Sequence, residues 1–264
     1  MFVLNEKGKL KYLTVEEFSK TSMVKHCFST RMGGVSEGVF SSMNLRFDCE
    51  DKKENVLKNF ELLSSAIGVD YEKLVLTKQV HEDIIKTVDE SFCGNGIMFD
   101  NRFDSADGLL CTVPGVPITV FGADCLPVMF LDAKERVIAT AHSGWKGTLN
   151  KISQKCARKM ILECNCSPEN IIAAIGPSIR DCHYEVSEEL AEMFAKEFGE
   201  KAVRMTASKP HINMQECVKS QLEEIGVTNV IDSRVCTYCE SDMYFSHRKT
   251  NGQRGVMVGI IELV

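Results

Sequence analysis

The residues best suited to metal chemistry in this 264-residue chain are two histidines and a cysteine beside apolar segments. His142 follows the apolar run VIATA, His81 follows VLTKQV, and Cys125 lies in the polar turn GADCLP. Polar side chains at strand ends project into regions where loops converge. Imidazole and thiolate suit Zn²⁺ or copper ions, and three protein ligands leave a fourth position open, as in catalytic zinc sites. These residues therefore form a candidate metal site.

The same side chains admit a second interpretation, a nucleophilic pair. A thiolate at Cys125 with His142 as its base would make the protein a cysteine hydrolase or deamidase. The spacing does not separate the two interpretations, since Cys125 lies 44 positions after His81 and 17 before His142. Both stay open on the residues alone.

A glycine-rich segment, STRMGGVSEGVFSSMNL, is a candidate for anion binding. Such loops bring backbone N–H groups close to an anion, and an arginine can bind phosphate through two parallel hydrogen bonds. Neither G-x-x-x-x-G-K-[ST] nor G-x-G-x-x-G is present, which excludes the nucleotide-binding loops that those patterns mark. An ordinary glycine loop is the alternative. The candidate ligands for phosphate or ribose hydroxyls are Arg31, Ser36, Ser41 and Asn44, with Arg248 in the later loop SHRKTNGQRG.

The twelve cysteines do not require a disulfide framework. No basic segment followed by an apolar one marks a secretory signal, so we expect a cytoplasmic, reducing environment. Most of the thiols are then expected to be small buried hydrophobic groups. Cys236 and Cys239 form a single C-x-x-C, which we interpret as a chance occurrence in a cysteine-rich chain.

The elements that must position these side chains mix strands and helices without strict alternation. Apolar runs separated only by turn residues follow one another between residues 74 and 142, which is typical of strands. Apolar residues spaced by three and four predict helices elsewhere. The predicted strands are Leu74–Leu76, Ile84–Val88, Gly108–Thr112, Ile118–Phe121, Val128–Leu131, Val137–His142, Ile171–Ile175, Asn229–Ile231 and Val256–Ile261. The predicted helices are Lys53–Ile67, Thr148–Cys164, Ser187–Phe198 and Ile212–Ile225, with loops at Asp181–Val186 and Cys236–Asn251.

This order of elements indicates an α+β fold with a mixed sheet, in one compact domain over residues 1–264. Apolar residues make up 44% and charged residues 26%, which excludes a disordered chain. The net charge of −6 argues against nucleic acid as a partner, because phosphate backbones require a concentrated basic face. The most apolar stretch, Val113–Leu131, contains Asp124 and three prolines, so no membrane span is expected.

Six segments together resemble one family over nearly the whole chain. They are TRMGGVSEGVFSSMNL, KQVHEDII, ADGLLCTVPGVPITVFGADCLPVMF, AHSGWKGTLNKI, IGPSIRDCHYEV and SHRKTNGQRGVMVGII. Their order and spacing are similar to those of the YfiH-type, laccase-domain family, in which A-D-C-L-P with A-H-x-G-W is specific. The resemblance implies a four-layer α/β/β/α sandwich and a metal site, usually zinc, at His81, Cys125 and His142.

The resemblance also implies an activity. Family members were first described as multicopper polyphenol oxidases and later assigned as purine nucleoside phosphorylases that also deaminate adenosine. The expected substrates are adenosine, inosine, guanosine or methylthioadenosine with phosphate, and the products are the base and ribose 1-phosphate. Zinc would act as a Lewis acid and activate water for deamination, while Cys125 and His142 would be catalytic as well as ligands. Asp124 or His183 would transfer protons, by position.

The chain departs from the family pattern at three places, none of which is a metal ligand. Gly122 stands where many relatives have Thr, and Gly108-Leu109-Leu110-Cys111 stands where they read G-L-V-T. His183 replaces the second Cys of C-C-Y-E-V and adds an imidazole near the implied metal.

Three other functions stay open. A copper-dependent phenol oxidase would typically use His-x-His pairs, and the six histidines of this chain form none. A cysteine–histidine hydrolase and a non-enzymatic metal-binding protein are the others. We expect a monomer whose partners are small purine nucleosides and phosphate.

Overall fold

Thirteen strands and seven helices make up the chain in a computed structural model that describes residues 1–264. The strands are β1 (Phe2–Lys7), β2 (Leu10–Val15), β3 (Val24–Ser29), β4 (Ile85–Val88), β5 (Gly108–Cys111), β6 (Ile118–Gly122), β7 (Leu126–Asp132), β8 (Val137–Ser143), β9 (Ile171–Ile175), β10 (Val203–Thr206), β11 (Lys209–Ile212), β12 (Asn229–Asp232) and β13 (Met257–Leu263). The helices are α1 (Glu16–Thr21), α2 (Lys53–Ile67), α3 (Trp145–Leu149), α4 (Ile152–Cys164), α5 (Glu188–Phe198), α6 (Met214–Glu223) and α7 (His247–Thr250).

The strands form two large sheets and one small one. The larger sheet has six strands in the order β12-β9-β7-β8-β5-β4 and is mixed, because β12 pairs with β9 and β4 with β5 in parallel. The second sheet has five antiparallel strands in the order β1-β2-β3-β13-β6. A two-stranded ribbon, β10-β11, stands apart.

Strand β7 lies inside the six-stranded sheet, and all seven of its residues are buried. Successive side chains of a strand point to opposite faces, so β7 contributes to two cores. Val128 and Phe130 pack in the core beneath α4, α5 and α6, whereas Met129 and Leu131 pack in the core between the two sheets. A strand buried on both faces reads as a continuous apolar run, as LPVMFL does here.

A third core joins the five-stranded sheet to α2. Val56, Phe60 and Leu63 of α2, at helical spacing, pack against Cys27 of β3 and Ile260 of β13. The layers are therefore helices, six-stranded sheet, five-stranded sheet and helix. This arrangement confirms the α+β fold and the four-layer α/β/β/α order, with shared cores in a single domain.

Several predicted boundaries differ from the observed ones for local reasons. The predicted helix Thr148–Cys164 is two helices, because Lys151 adopts a left-handed conformation (φ 60°, ψ 38°) between α3 and α4. The predicted helix Ile212–Ile225 starts too early, since Ile212 ends β11 and the Asn213 side chain caps α6. The predicted loop Cys236–Asn251 contains α7.

Some elements were absent from the sequence prediction. The missed elements are β1, β2, α1, β3, β10 and β11. Strand β1 has no fully buried residue, so no alternating pattern marks it. Leu74–Leu76 was predicted as a strand but contributes only a bridge from Val75 to Ile118. No helix of the chain combines the length and apolar character that crossing a membrane would need.

Candidate active site

The structure brings His81, Cys125 and His142 together, with their donor atoms within 4.8 Å of one another. His142 is buried near the end of β8, and Cys125 directly precedes β7. Antiparallel pairing sets Leu126 opposite Ser143, which places Cys125 beside the end of β8. The ring centroids of His81 and His142 are 4.8 Å apart at an interplanar angle of 80°.

A buried carboxylate, Asp107, holds both histidines in place. His142 Nδ1 donates to Asp107 Oδ1 at 2.8 Å, which leaves Nε2 to face the site. The same carboxylate accepts the backbone N–H groups of Val80, His81 and Glu82 at 3.0, 3.0 and 3.1 Å. His81 itself has a left-handed backbone (φ 63°), which these contacts stabilise. Asp107 was not among the residues predicted from sequence, although an acidic residue beside the apolar run GLLC was a usable signal.

Asp124 fixes the turn that carries the thiol. Its φ of 98° is unfavourable for a residue with a side chain, and three hydrogen bonds secure it. The carboxylate accepts Thr237 Oγ1 and the Arg248 backbone N–H, both at 2.6 Å, and its carbonyl accepts the Ile179 N–H at 2.9 Å. Both carboxylate oxygens are therefore engaged in positioning Cys125, and the proton-transfer role of Asp124 stays a prediction.

The protonation states at this site are set by close opposite charges. Burial alone would raise the pKa of the Cys125 thiol, but His142 and His81 lower it to about 6. Burial alone would lower the pKa of His142, but the Cys125 thiolate and Asp107 raise it to about 9. Burial likewise opposes ionisation of Asp107, yet hydrogen bonds from His142 and the backbone hold its pKa below the usual value. The thiolate required of either a ligand or a nucleophile is thus available.

The donor set and the space around it fit a metal ion. Two imidazoles and one thiolate are ligands that Zn²⁺ and copper accept, and three protein ligands leave one position open. Gly144 lies against the site, where an added Cβ would stand 3.1 Å from Cys125 Sγ and 3.4 Å from His81 Cδ2. Any larger residue at position 144 would therefore crowd the ligands.

His81, Cys125 and His142 line a cavity of about 700 Å³, within the range of small-molecule sites. The walls come from the loops before α2, after β4 and before β13, and from the end of β6. Aromatic side chains give the cavity an apolar wall, and two arginines give it positive charge. These aromatic and basic residues are Phe47, Phe99, Phe121, Arg46 and Arg254.

Arg254, which lines this cavity, has one buried donor without a partner. Its Nε is buried and has no hydrogen-bond partner, while Nη2 donates to His247 Nδ1 at 3.2 Å. Burial and the nearby Arg46 lower the pKa of Arg254. The only carboxylate paired with either arginine is the exposed Asp48, 3.2 Å from Arg46 Nη2. Lys53, Asp48 and Asp100 also line the cavity, so positive and negative groups are mixed there. Arg254 forms no ion pair with a carboxylate and is therefore the group best suited to an anion.

A sequence profile of the family described as "Multi-copper polyphenol oxidoreductase laccase" matches residues 25–264. The chain belongs to this family.

Relatives of this laccase-family chain carry two kinds of names. A "Purine nucleoside phosphorylase" from Bacteroides thetaiotaomicron is 32% identical over 257 residues, covering 94% of this chain and 95% of that protein. "Adenosine deaminase RL5", from an unknown prokaryotic organism, is 31% identical and covers 88% of this chain and 92% of that protein. The crystal structure of Bacillus licheniformis protein YfiH superposes with a TM-score of 0.91, at 28% identity, over 99% of both chains.

The arginines that the sequence analysis selected do not line the cavity of this laccase-family chain. Arg31 donates through Nε and Nη2 to the Ser41 carbonyl at 2.9 and 2.7 Å, and through Nη1 to the Ser241 carbonyl at 2.8 Å. Arg248 Nη1 donates to the Glu185 carbonyl at 2.8 Å. Both guanidinium groups therefore connect separate loops by hydrogen bonds to backbone carbonyls. The cavity arginines were not predicted from sequence, although Arg46 directly follows the first of these two segments and Arg254 lies in the second.

The other residues predicted to bind phosphate or ribose also have structural contacts. Ser36 Oγ and the Asn44 carbonyl both accept from Asn59 Nδ2 of α2, at 2.9 and 2.8 Å. Asn44 Oδ1 accepts the backbone N–H groups of Arg46 and Val256, each at 3.1 Å, and so joins the two loops that carry the cavity arginines. Ser41 is exposed and does not line the cavity.

A second group of ligand-type side chains lies elsewhere in this laccase-family chain. Cys182, His183, Cys236 and Cys239 place their donor atoms within 4.8 Å of one another. His183 belongs to this group and not to the group of His81. The C-x-x-C that we interpreted as a chance occurrence thus lies within a group of ligand-type side chains, because the Cys236 and Cys239 thiols are both in contact with Cys182.

Proposed function

We propose that the chain is a zinc-dependent enzyme that cleaves purine nucleosides with phosphate, giving the free base and ribose 1-phosphate. The observation that carries this proposal is that the three-ligand group and two arginines, one with an unpaired buried Nε, line a single cavity. The name "Purine nucleoside phosphorylase" of a relative that covers nearly the whole chain supports the substrate class.

His81, Cys125 and His142 would hold the ion. When bound, zinc supplies a Lewis acid that stabilises developing negative charge and activates water. Asp107 accepts the Nδ1 proton of His142, so that Nε2 is directed at the site, and the ion would take the place of the Nε2 proton. The low pKa of Cys125 keeps its sulfur in the thiolate form that coordination requires.

Arg46 and Arg254 would bind the phosphate. Both guanidinium groups can offer N–H donors, in parallel pairs, to an anion that enters the cavity. Phe47, Phe99 and Phe121 provide the apolar wall against which a purine ring would pack. The nucleoside would then lie between this wall and the ligand group, with phosphate beside it.

Deamination of adenosine is a second reaction for the same cavity. The relative named "Adenosine deaminase RL5" supports it, as does a ligand group with one open position. Deamination needs water and no phosphate, so the two reactions differ in their dependence on the arginines.

The test is chromatography of purified protein incubated with adenosine, with and without inorganic phosphate. Adenine that appears only with phosphate is the expected result for phosphorolysis, and inosine formed without phosphate is the result for deamination. Neither product from protein that carries zinc would overturn the proposal in favour of a cysteine hydrolase or a binding protein. Oxidation of a phenol by copper-loaded protein alone would favour the oxidase.

Variants separate the contributions of the ligands and the arginines. Cys125→Ser should lose both zinc and turnover, whereas unchanged turnover after metal loss would overturn the zinc mechanism. Arg254→Gln should reduce adenine formation at low phosphate at least tenfold while leaving inosine formation nearly unchanged. Arg158→Gln, on the exposed face of α4, is the matched control and should change neither.

A further inference from the structure

The group formed by Cys182, His183, Cys236 and Cys239 has the dimensions of a tetrahedral metal site. Cys182 Sγ lies 3.5 Å from Cys236 Sγ and 3.7 Å from Cys239 Sγ. His183 Nδ1 lies 3.3 Å from Cys182 Sγ and 3.2 Å from Cys239 Sγ. A tetrahedral zinc ion with Zn–S bonds of about 2.3 Å separates its sulfurs by about 3.8 Å. The spacing between the ligand atoms is therefore close to what one ion requires.

The backbone and a neighbouring ring orient the four ligands. Cys182 and His183 follow β9 in one turn, and Cys236 and Cys239 follow β12, which pairs in parallel with β9. The strands thus bring both turns to the same end of the six-stranded sheet. The His183 ring stacks on Tyr238 with centroids 4.1 Å apart and planes 16° apart, which fixes the direction of its ring nitrogens.

We propose that these four residues form a second zinc site, distinct from the one in the cavity. Three thiolates and one imidazole complete a four-coordinate set, so no position is left open for water or substrate. Such closed sites are structural and join segments that are far apart in sequence. A single disulfide would leave one thiol and the imidazole without a partner, whereas one zinc ion engages all four.

The second site is connected by hydrogen bonds to the turn that carries Cys125. Thr237, inside the C-x-x-C, donates its hydroxyl to Asp124 Oδ1 at 2.6 Å and its N–H to the Ser178 carbonyl at 3.1 Å. Asp124 in turn fixes the backbone beside Cys125. Zinc at the second site would therefore hold the Cys236–Cys239 turn in the position from which Thr237 reaches Asp124.

Metal content of the full chain, purified under reducing conditions, tests the proposal. The wild type should carry two zinc ions per chain, and Cys125→Ala and the Cys182→Ser/Cys239→Ser double variant should carry one each. Cys164→Ser, a half-buried thiol outside both groups, is the matched control and should retain two. The proposal would be contradicted if the double variant kept the zinc content of the wild type. It would also be contradicted if the Cys125→Ala variant contained no zinc at all.

Cobalt spectroscopy avoids reliance on the folding of the double variant. Cys125→Ala loaded with Co²⁺ retains only imidazoles in the cavity group, so an intense thiolate-to-cobalt band must come from the second site. We expect that band, with the visible absorption of a tetrahedral ion. Its absence, or mass spectrometric detection of a disulfide at Cys182 in the freshly purified protein, would overturn the proposal.

Discussion

Asp107 connects the two imidazoles of the cavity group through a single carboxylate. One of its oxygens accepts a hydrogen bond from the His142 ring, and both oxygens accept hydrogen bonds from the backbone N–H groups of the turn that carries His81. A group that orients metal ligands in this way controls their basicity and direction. The charge of Asp107, more than its shape, should therefore determine how tightly metal binds.

Asp107→Asn tests this role. The amide nitrogen would face backbone N–H groups or the His142 Nδ1 proton, and the negative charge beside the imidazole would be lost. We expect zinc affinity, measured by competition with a chelator, to fall about 10- to 100-fold. Asp104→Asn, an exposed carboxylate on the same loop, is the control and should have wild-type affinity. Unchanged zinc affinity in a folded Asp107→Asn protein would show that the charge of Asp107 does not control metal binding.

His26 makes the stability of the protein depend on pH. Its Nε2 accepts the Val15 N–H at 2.7 Å inside the core, and burial lowers its pKa from 6.5 to about 4. The unfolded chain therefore binds a proton between pH 6.5 and 4 that the folded chain does not bind, so stability falls as pH falls through that window. Urea unfolding at pH 7 and pH 5 should show a loss about 2 kcal/mol larger for the wild type than for His26→Gln. Equal losses in the two proteins would exclude this role.

At the residue scale, sequence identified the group of His81, Cys125 and His142 and the two loops that supply the cavity arginines, but not which arginines line the cavity. Arg31 and Arg46 flank one loop and Arg248 and Arg254 the other, yet only Arg46 and Arg254 line the cavity. Sequence patterns carry no information about which way each guanidinium points. A hydrogen bond to a backbone carbonyl, such as the one from Arg31 to Ser41, cannot be predicted before the fold is known.

At the scale of elements, the break between α3 and α4 shows a local conformation that residue type did not reveal. Lys151 is left-handed there, a conformation that costs a residue with a Cβ about 1–2 kcal/mol relative to glycine. Its side chain contributes an ion pair with Glu197 at 2.7 Å on the surface. A lysine among helix-forming residues gives no signal for a break, so the sequence predicted one continuous helix.

Lys151→Gly and Lys151→Ala form a matched pair that tests this conformation. Both remove the ion pair with Glu197, but only glycine relieves the backbone. We expect Lys151→Gly to be about 1 kcal/mol more stable than Lys151→Ala in urea unfolding. The order should reverse at Lys155, inside α4, where glycine costs about 1 kcal/mol relative to alanine. The same order at both positions would contradict the left-handed assignment.

The elements that sequence predicted well are those with buried faces. Helix α2 and strand β9 have the predicted bounds because a regular apolar stripe or a continuous apolar run defines them. Strands β1 and β10 were missed because none of their residues is buried, and pairing alone defines them. Strand β11 has three buried residues, but it is only four residues long and contains Pro210, which argues against a strand in sequence. The predicted Leu74–Leu76 strand is apolar because Leu74 and Leu76 lie in the third core and Val75 lies in the core between the sheets, not because it pairs in a sheet.

At the scale of the whole molecule, β7 couples two cores. Phe130 belongs to the core under the helices and Leu131 to the core between the sheets, and both are fully buried. Loss of packing on either side therefore acts on the same strand. Residue patterns predicted the strand but not its place in the middle of the sheet, because the order of strands depends on contacts far apart in sequence.

Substitutions on the two sides of β7 should destabilise the molecule as one unit. Phe130→Ala and Leu131→Ala should each cost about 2–5 kcal/mol, because each leaves a cavity in a packed core. Circular dichroism and Trp145 fluorescence should report one coincident transition in both variants. Leu162→Ala, 78% exposed on α4, should change stability by less than about 0.5 kcal/mol. Two separate transitions would mean that the two cores unfold independently.

The place of β13 in the five-stranded sheet has a consequence for biosynthesis. β13 is inserted between β3 and β6, although more than two hundred residues separate Ser29 from Met257. At roughly 5–20 residues per second, a ribosome needs about 10 to 45 s to add that length. Strand β3 has an unpaired edge throughout this interval, and β6 has one from its own synthesis onward, so that apolar side chains such as Phe28 are not yet covered by β13. Nascent chains of this protein should therefore depend on chaperones until translation has passed residue 263.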